Sequence, residues 1–269
     1  MKPGYRGRLA PSLTGNLHTG HAQTFLRAQQ RAREAGGALF LRMEDLDEAR
    51  KRPEFAPQML EDLAWCGLHH TGEVMWQSER HRAGIYQAAW KKLRTDGWIY
   101  PCGCSRKDVL LAVGAPHAED EEPMYAGTCR ERPWNETEVA DGVNWRLKVP
   151  HGLEIAFFDE KMGHLTAEGG SAIGDFVIWR KDGLPAYELA VVVDDAAMEI
   201  TEVVRGEDLV RSTFRQLLVY RALGLTPPRF YHSPLVLDAA GRRLAKRLGS
   251  ETLGERRRAG EEPPRLAEG

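Results

Sequence analysis

The chain has 269 residues, 42% of them apolar, and a formal net charge of −2. That length suits one large domain, or one domain with an insertion, around a sizeable core, and no run of eighteen apolar residues offers a membrane-spanning helix. The near-neutral charge excludes little, because enzymes of RNA often bind it through a local basic face.

After Met1-Lys2-Pro3 the chain continues Gly4-Tyr5-Arg6-Gly7-Arg8. No apolar secretory signal is visible there, so a cytoplasmic location and no membrane partner are expected. Residues 5–9 read as a strand and residues 19–35 as a helix, with Ala22, Phe25 and Leu26 on one face and Gly36-Gly37 as its stop. A second strand is predicted at 38–43, helices at 55–64 and 79–95, and a further strand after Trp98. Alternating strands and helices imply an α/β protein built on a parallel sheet. From Cys102 to about Pro150 the rhythm breaks, with Gly, Pro and the acidic run Glu119-Asp120-Glu121-Glu122, as an insertion would break it. Strands are predicted again at 175–180 and 198–205, and a helix at 209–223 ending at Gly224. The tail from Glu255, with Arg256-Arg257-Arg258 and Pro263-Pro264, reads as disordered.

The first chemical constellation runs Arg8-Leu9-Ala10-Pro11-Ser12-Leu13-Thr14-Gly15-Asn16-Leu17-His18-Thr19-Gly20-His21, between the first strand and the first helix. Free backbone N–H groups and the positive end of a helix favour phosphate at such a place. His18 and His21 are three residues apart, so on a first helical turn both imidazoles face one way and can donate to phosphate oxygens. Gly20 leaves room for a nucleotide. Taken alone, His-x-Gly-His is also compatible with a helix start bearing two incidental histidines.

The segment 8–21 resembles the R-F-A-P-S-P-T-G-x-L-H-x-G-H signature of the glutamyl- and glutaminyl-tRNA synthetases of class I, with Leu9 and Leu13 in place of Phe and Pro. The resemblance continues in Leu41-Arg42-Met43-Glu44-Asp45-Leu46-Asp47, in Tyr187-Glu188-Leu189-Ala190 with the stretch to Asp195, and in Val204-Arg205-Gly206-Glu207-Asp208-Leu209. It thus covers nearly the whole chain. It implies a Rossmann-like catalytic domain with halves at 1–101 and 171–254, an acceptor-type insertion of α+β type bearing zinc at 102–170, and the tail at 255–269. The implied activity is ATP-dependent activation of glutamate to an adenylate, with Mg²⁺ accompanying ATP.

Glutamate carries two carboxylates and one ammonium, so its pocket needs two cations and one anion, and Arg8, Arg205 and Glu44 supply them at the ends of predicted strands. Without the neighbouring motifs, Arg205 and Glu44 read equally as a structural ion pair at a sheet edge. The resemblance adds Leu9, Ala10, Pro11, Ser12 and Tyr187 to the glutamate site. It assigns ATP to His18, Gly20, His21 and Lys246, with His18, His21 and Lys246 catalytic. Lys246 comes from Arg243-Leu244-Ala245-Lys246-Arg247, after His232-Ser233-Pro234-Leu235-Val236-Leu237-Asp238, and resembles the K-M-S-K-S loop of class I with Arg243 for the first lysine and Ala245 for the serine. A solvated basic loop is the plain alternative there.

Only four cysteines occur, too few for a disulfide framework in a chain this long and suited to a reducing compartment. Cys102, Cys104 and Cys129 make a plausible structural Zn²⁺ site, one per chain, pinning an insertion poor in apolar residues. The fourth ligand is either His117 or Tyr125, and the resemblance favours Tyr125. Cys66, beside Trp65, reads as a core residue.

The sequence runs some twenty residues past the lysine loop, so no anticodon-reading domain is expected. Within the family this length resembles short members that activate glutamate without tRNA and pass it to the queuosine base in the anticodon loop of tRNA(Asp). A monomer is expected. Three other readings stay open: the truncated catalytic core of a glutamyl-tRNA synthetase, a nucleotidyltransferase sharing the histidine motif, and a non-enzymatic tRNA-binding module descended from a synthetase.

Overall fold

The computed structural model describes residues 4–47, 52, 54–105, 107–109, 124–133, 142–236 and 251–267. Strand β1 (Arg6–Leu9) runs parallel to β2 (Ala38–Met43), and β2 to the short β3 (Met75–Trp76). Helix α1 (Thr19–Glu34) connects the first two and buries Ala22, Phe25, Ala28 and Ala32. The return is tight: Gly36 has φ of 59°, and a Cβ on Gly37 would stand 2.4 Å from the Tyr5 carbonyl oxygen. Only glycine fits this turn.

Helix α2 (Phe55–Trp65) follows, and then two short helices, α3 (Gln77–Arg82) and α4 (Ile85–Thr95), where the apolar periodicity predicts one. Gly84, at φ 74°, separates them. Strand β4 (Ile99–Cys102) does not join the parallel sheet. It pairs antiparallel with β5 (Asn144–Leu147), which pairs antiparallel with β8 (Phe176–Trp179). This second sheet draws on residues on both sides of positions 102 and 170. Trp90, Trp145 and Trp179 cluster beneath it, the first two edge to face at 5.1 Å.

Strands β6 (Glu154–Asp159) and β7 (Gly163–Glu168) form an antiparallel hairpin whose first strand reaches β10 (Arg229–Ser233) at Phe230↔Asp159. Helix α5 (Tyr187–Ala197) leads to β9 (Glu202–Gly206), which begins four residues later than predicted because Met198 caps the helix and Glu199 turns left-handed at φ 52°. A 3₁₀ turn and α6 (Val210–Leu223) then return the chain to β10, parallel to β9. Strands β1 and β9 lie side by side, since Thr201 N–H donates to Arg6 O at 2.9 Å. Chain order therefore departs from β1 toward β2 on one flank and from β9 toward β10 on the other. The crevice between their carboxyl ends is the switch point where open α/β sheets bind ligands.

Residues 251–267 are the clearest departure from expectation. In place of disorder, helix α7 (Leu253–Arg258) starts with a reciprocal cap between Thr252 and Glu255, and Leu253 is buried. Leu253 N–H donates to Leu17 O at 2.8 Å, and Arg256 Nη1 to Thr19 Oγ1 at 3.1 Å. Two arginines of the run are thus spent on docking, Arg257 also reaching Glu61 at 2.7 Å and Asp62 at 3.3 Å, while Arg258 is exposed. No described helix is long and apolar enough to cross a membrane.

Candidate active site

A cleft of about 240 Å³ opens at the switch point. Of the residues assigned to glutamate and ATP, Arg8, Ala10, Pro11, Ser12, His18, Gly20, His21, Glu44, Tyr187 and Arg205 all line it. Leu9 does not, because alternation along β1 turns its side chain into the core, where it is 1% exposed. Lys246 lies outside the described residues. Thr24, Phe25, Val204, Gly206, Asp208, Leu209 and the stretch from Pro234 to Val236 complete the wall and were not singled out as site residues. For the last three, the signal was present in the segment that resembles the approach to the lysine loop.

The histidine turn is built by capping. His18 Nδ1 accepts from Gly20 N–H and His21 Nδ1 from His18 N–H, both at 3.2 Å, which makes the two side chains a reciprocal cap on α1. With both Nδ1 atoms accepting, the proton of each neutral ring sits on Nε2. The ring centroids are 3.8 Å apart. Two imidazole donors and the positive end of α1 thereby share one corner of the cleft, suited to phosphate oxygens.

Glutamate-type charges occupy the opposite side. The pairing of β1 and β2 continues past both strands, with Glu44 N–H donating to Pro11 O at 3.0 Å and Leu13 N–H to Glu44 O at 3.2 Å, so Ser12 and Glu44 stand together. Arg42, with no exposed surface, ties this edge to α5: Nη1 meets Asp195 Oδ1 at 2.5 Å and Nη2 meets Glu44 Oε1 at 3.0 Å. Burial pushes the Glu44 carboxyl above its ordinary range against the pull of Arg42 and Arg8. At Asp195 burial works the same way, but Arg42 and Arg8 outweigh it and hold the carboxyl low. Arg8 places Nε 3.4 Å from Asp195 and donates from Nη1 to Val204 O at 3.2 Å.

Arg205 comes from β9 and is 4% exposed. Its Nη2 donates to Thr213 Oγ1 at 2.6 Å, and its buried Nη1 has no hydrogen-bond partner among the described residues. A buried unpaired guanidinium donor is costly, and a ligand carboxylate would satisfy it. Two arginines and one carboxylate around the same space match the charge pattern of glutamate.

A second centre lies at the end of β4. The sulfurs of Cys102, Cys104 and Cys129 are all within 4.8 Å of one another. Tyr125 Oη sits among them, 3.3 Å from Cys102 Sγ and 3.6 Å from Cys104 Sγ, and accepts from Cys129 N–H at 2.8 Å. Arg146 stacks on the Tyr125 ring at 3.8 Å. Three thiols that can hold a soft metal such as zinc, with a phenol oxygen beside all three, fit a tetrahedral donor set. His117 lies outside the described residues. Cys66 is apart from this cluster, buried at the end of α2, where burial pushes its thiol up to about 11.

The family of tRNA synthetases class I (E and Q), catalytic domain, matches residues 5–267. The chain is 45% identical over 265 residues to a glutamyl-Q tRNA(Asp) synthetase of Nitratidesulfovibrio vulgaris, covering 95% of this chain and 82% of that protein. A glutamyl-Q tRNA(Asp) synthetase of Symbiobacterium thermophilum is also 45% identical, over 268 residues, with 96% and 82% covered. The crystal structure of a glutamate tRNA ligase from Elizabethkingia meningosepticum in complex with its amino acid superposes with a TM-score of 0.78 at 28% identity. It matches 93% of this chain, which spans about half of that ligase, 54%. Motifs, sheet order and cleft agree with these likenesses: the chain belongs to the class I tRNA synthetases for glutamate and glutamine and carries their catalytic domain.

Proposed function

We propose that the protein is an ATP-dependent glutamate-activating ligase that forms glutamyl adenylate without tRNA and passes the glutamyl group to queuosine in the anticodon loop of tRNA(Asp). The observation that carries the first half is the convergence of Arg8, Arg205 and Glu44 on one cleft with His18 and His21 at its other side. The acceptor follows from relatives at 45% identity whose names state it.

In this reading Arg8 and Arg205 receive the two carboxylates of glutamate and Glu44 its ammonium. The α-carboxylate attacks the α-phosphorus of ATP, pyrophosphate leaves, and no protein nucleophile is needed. Charge gathering on the phosphates is met by the Nε2–H groups of His18 and His21, by the positive end of α1 and by Lys246. Mg²⁺ bound with ATP would supply further charge neutralisation there. Cys102, Cys104, Tyr125 and Cys129 would hold one structural zinc, which would tie the end of β4 to residues 125–129.

Glutamate-dependent exchange of pyrophosphate into ATP, run with and without tRNA, tests the activation step. Exchange without tRNA is expected, and equal exchange with glutamine would sink the assignment. Transfer of radiolabelled glutamate to tRNA(Asp) with and without queuosine tests the acceptor. Metal analysis should find about one zinc per chain, lost in Cys104→Ser.

A further inference from the structure

Behind Arg205 stands a buried relay of Thr213, His232 and Asp159, each 0% exposed at the side chain or whole residue. We infer that His232, held by Asp159, is a positioning residue that aims the Arg205 guanidinium at its ligand carboxylate. This deepens the glutamate-activation reading and rests on it.

Asp159 ends β6 and collects four donors: Lys161 N–H at 3.0 Å, Met162 N–H at 2.9 Å, His232 N–H at 3.1 Å and His232 Nδ1 at 2.6 Å. Burial would raise this carboxyl, but the amides and His232 overcome it and hold it below its ordinary range. An ionised Asp159 fixes the imidazole proton on Nδ1. Nε2 is then a lone-pair acceptor, and Arg205 Nε lies 3.3 Å from it, with Thr213 Oγ1 at 2.9 Å. Thr213 Oγ1 in turn accepts from Arg205 Nη2 at 2.6 Å. Two nitrogens of the guanidinium are therefore oriented by neutral acceptors, and Nη1 is left for the ligand.

The neutrality of His232 matters. A carboxylate in its place would orient Arg205 equally well but would draw its charge away from the substrate, while an imidazolium would turn an N–H toward an N–H. Burial first, and then Arg205, lower the basicity of His232, against Asp159 and Asp208, the other charges facing it. A histidine serving only to tie β10 to β6 would need its backbone N–H and Nδ1 alone. The contacts at Nε2 are what a tie would not require.

Side-chain amides separate these two roles. In His232→Asn the short amide can take the Nδ1 place and keep the bond to Asp159, but Arg205 Nε loses its acceptor. In His232→Gln the amide oxygen can take the Nε2 place. Glutamate KM and kcat in pyrophosphate exchange, glutamate binding by calorimetry without ATP, and a thermal melt are measured for both, with Thr213→Val and Asp159→Asn as companions. His232→Asn and Thr213→Val are expected to raise glutamate KM and Kd about tenfold or more, with the KM for ATP unmoved and His232→Gln nearer the wild type. Folded His232→Asn and Thr213→Val proteins with wild-type glutamate KM would overturn the relay, as would a loss in kcat alone. Should neither His232 variant fold, Thr213→Val and Asp159→Asn decide on the same criterion. A wild-type enzyme showing no glutamate-dependent exchange would instead overturn the activation reading itself.

Discussion

Arg8 and Arg205 face one cleft from adjacent strands and are almost equally buried, yet they are held in opposite ways. Arg8 stands in a chain of charges, since Asp195 is shared between it and Arg42, and Arg42 also grips Glu44. Arg205 is held by a hydroxyl and an imidazole, and among the described residues no carboxylate lies in ion-pair contact with it. Part of the Arg8 charge is therefore answered by direct contact inside the protein, whereas Arg205 is oriented by neutral groups and feels the Glu188 and Asp195 carboxylates only at longer range. A pocket for a dianionic side chain and backbone gains from both arrangements: the charged lattice fixes the spacing of Arg8 and Glu44, and the neutral brace preserves field for the ligand.

The sharpest way to break the first half of this contrast is to remove its hub. Arg42→Met leaves Asp195, Asp194 and Glu44 around an uncharged side chain, and the fold should lose about 3–5 kcal/mol in denaturant melts. The arginines themselves come next. Arg205→Ala should cost about 2–5 kcal/mol of glutamate kcat/KM, more than Arg8→Ala, because among the described residues no carboxylate is in ion-pair contact with the charge it removes. An equal or larger loss in Arg8→Ala would show that the internal ion pair does not spend the charge. His21→Ala provides the control on the phosphate side: the rate of adenylate formation should fall about 10²- to 10³-fold with little change in glutamate KM, measured before steady state.

The smallest effect is one of pH. Burial raises the Glu44 carboxyl, so glutamate affinity should weaken on acidification above the ordinary carboxylate range. Protonating Glu44 does not loosen the fold, because a raised folded-state value contributes stability below the unfolded value of about 4.3 and loses it as pH rises. Asp195 has the opposite sign. Its lowered value contributes stability above about 3.9, lost as pH falls through the folded-state value. Titrating binding and melting together should show binding lost first.

What the sequence made legible follows the same division. Residues 8–21 carry their chemistry in type and spacing, and the structure brings Arg8, His18 and His21 to one cleft with Glu44, Tyr187 and Arg205. The buried pairs were invisible because their members are far apart: Arg42 and Asp195 by 153 positions, Asp159 and His232 by 73. Strand periodicity marks an apolar face but not a partner, so the antiparallel pairing of β4 had no local sign. The α3–α4 break hid in a periodicity that Gly84 interrupts without disturbing. The tail was misread from its arginines and prolines, although Thr-x-x-Glu at 252–255 is a helix-start signature in plain view.

That tail alters the order in which the molecule is finished. The Leu17–Thr19 segment that opens the histidine turn is braced by residues far along the sequence, Arg256 and Thr19 being 237 positions apart. During vectorial synthesis the first strand and helix emerge well before their brace. The histidine turn can be fully braced only once residues 252–256 have been made, so a nascent chain that stops short of them carries an unbraced turn at the edge of the cleft.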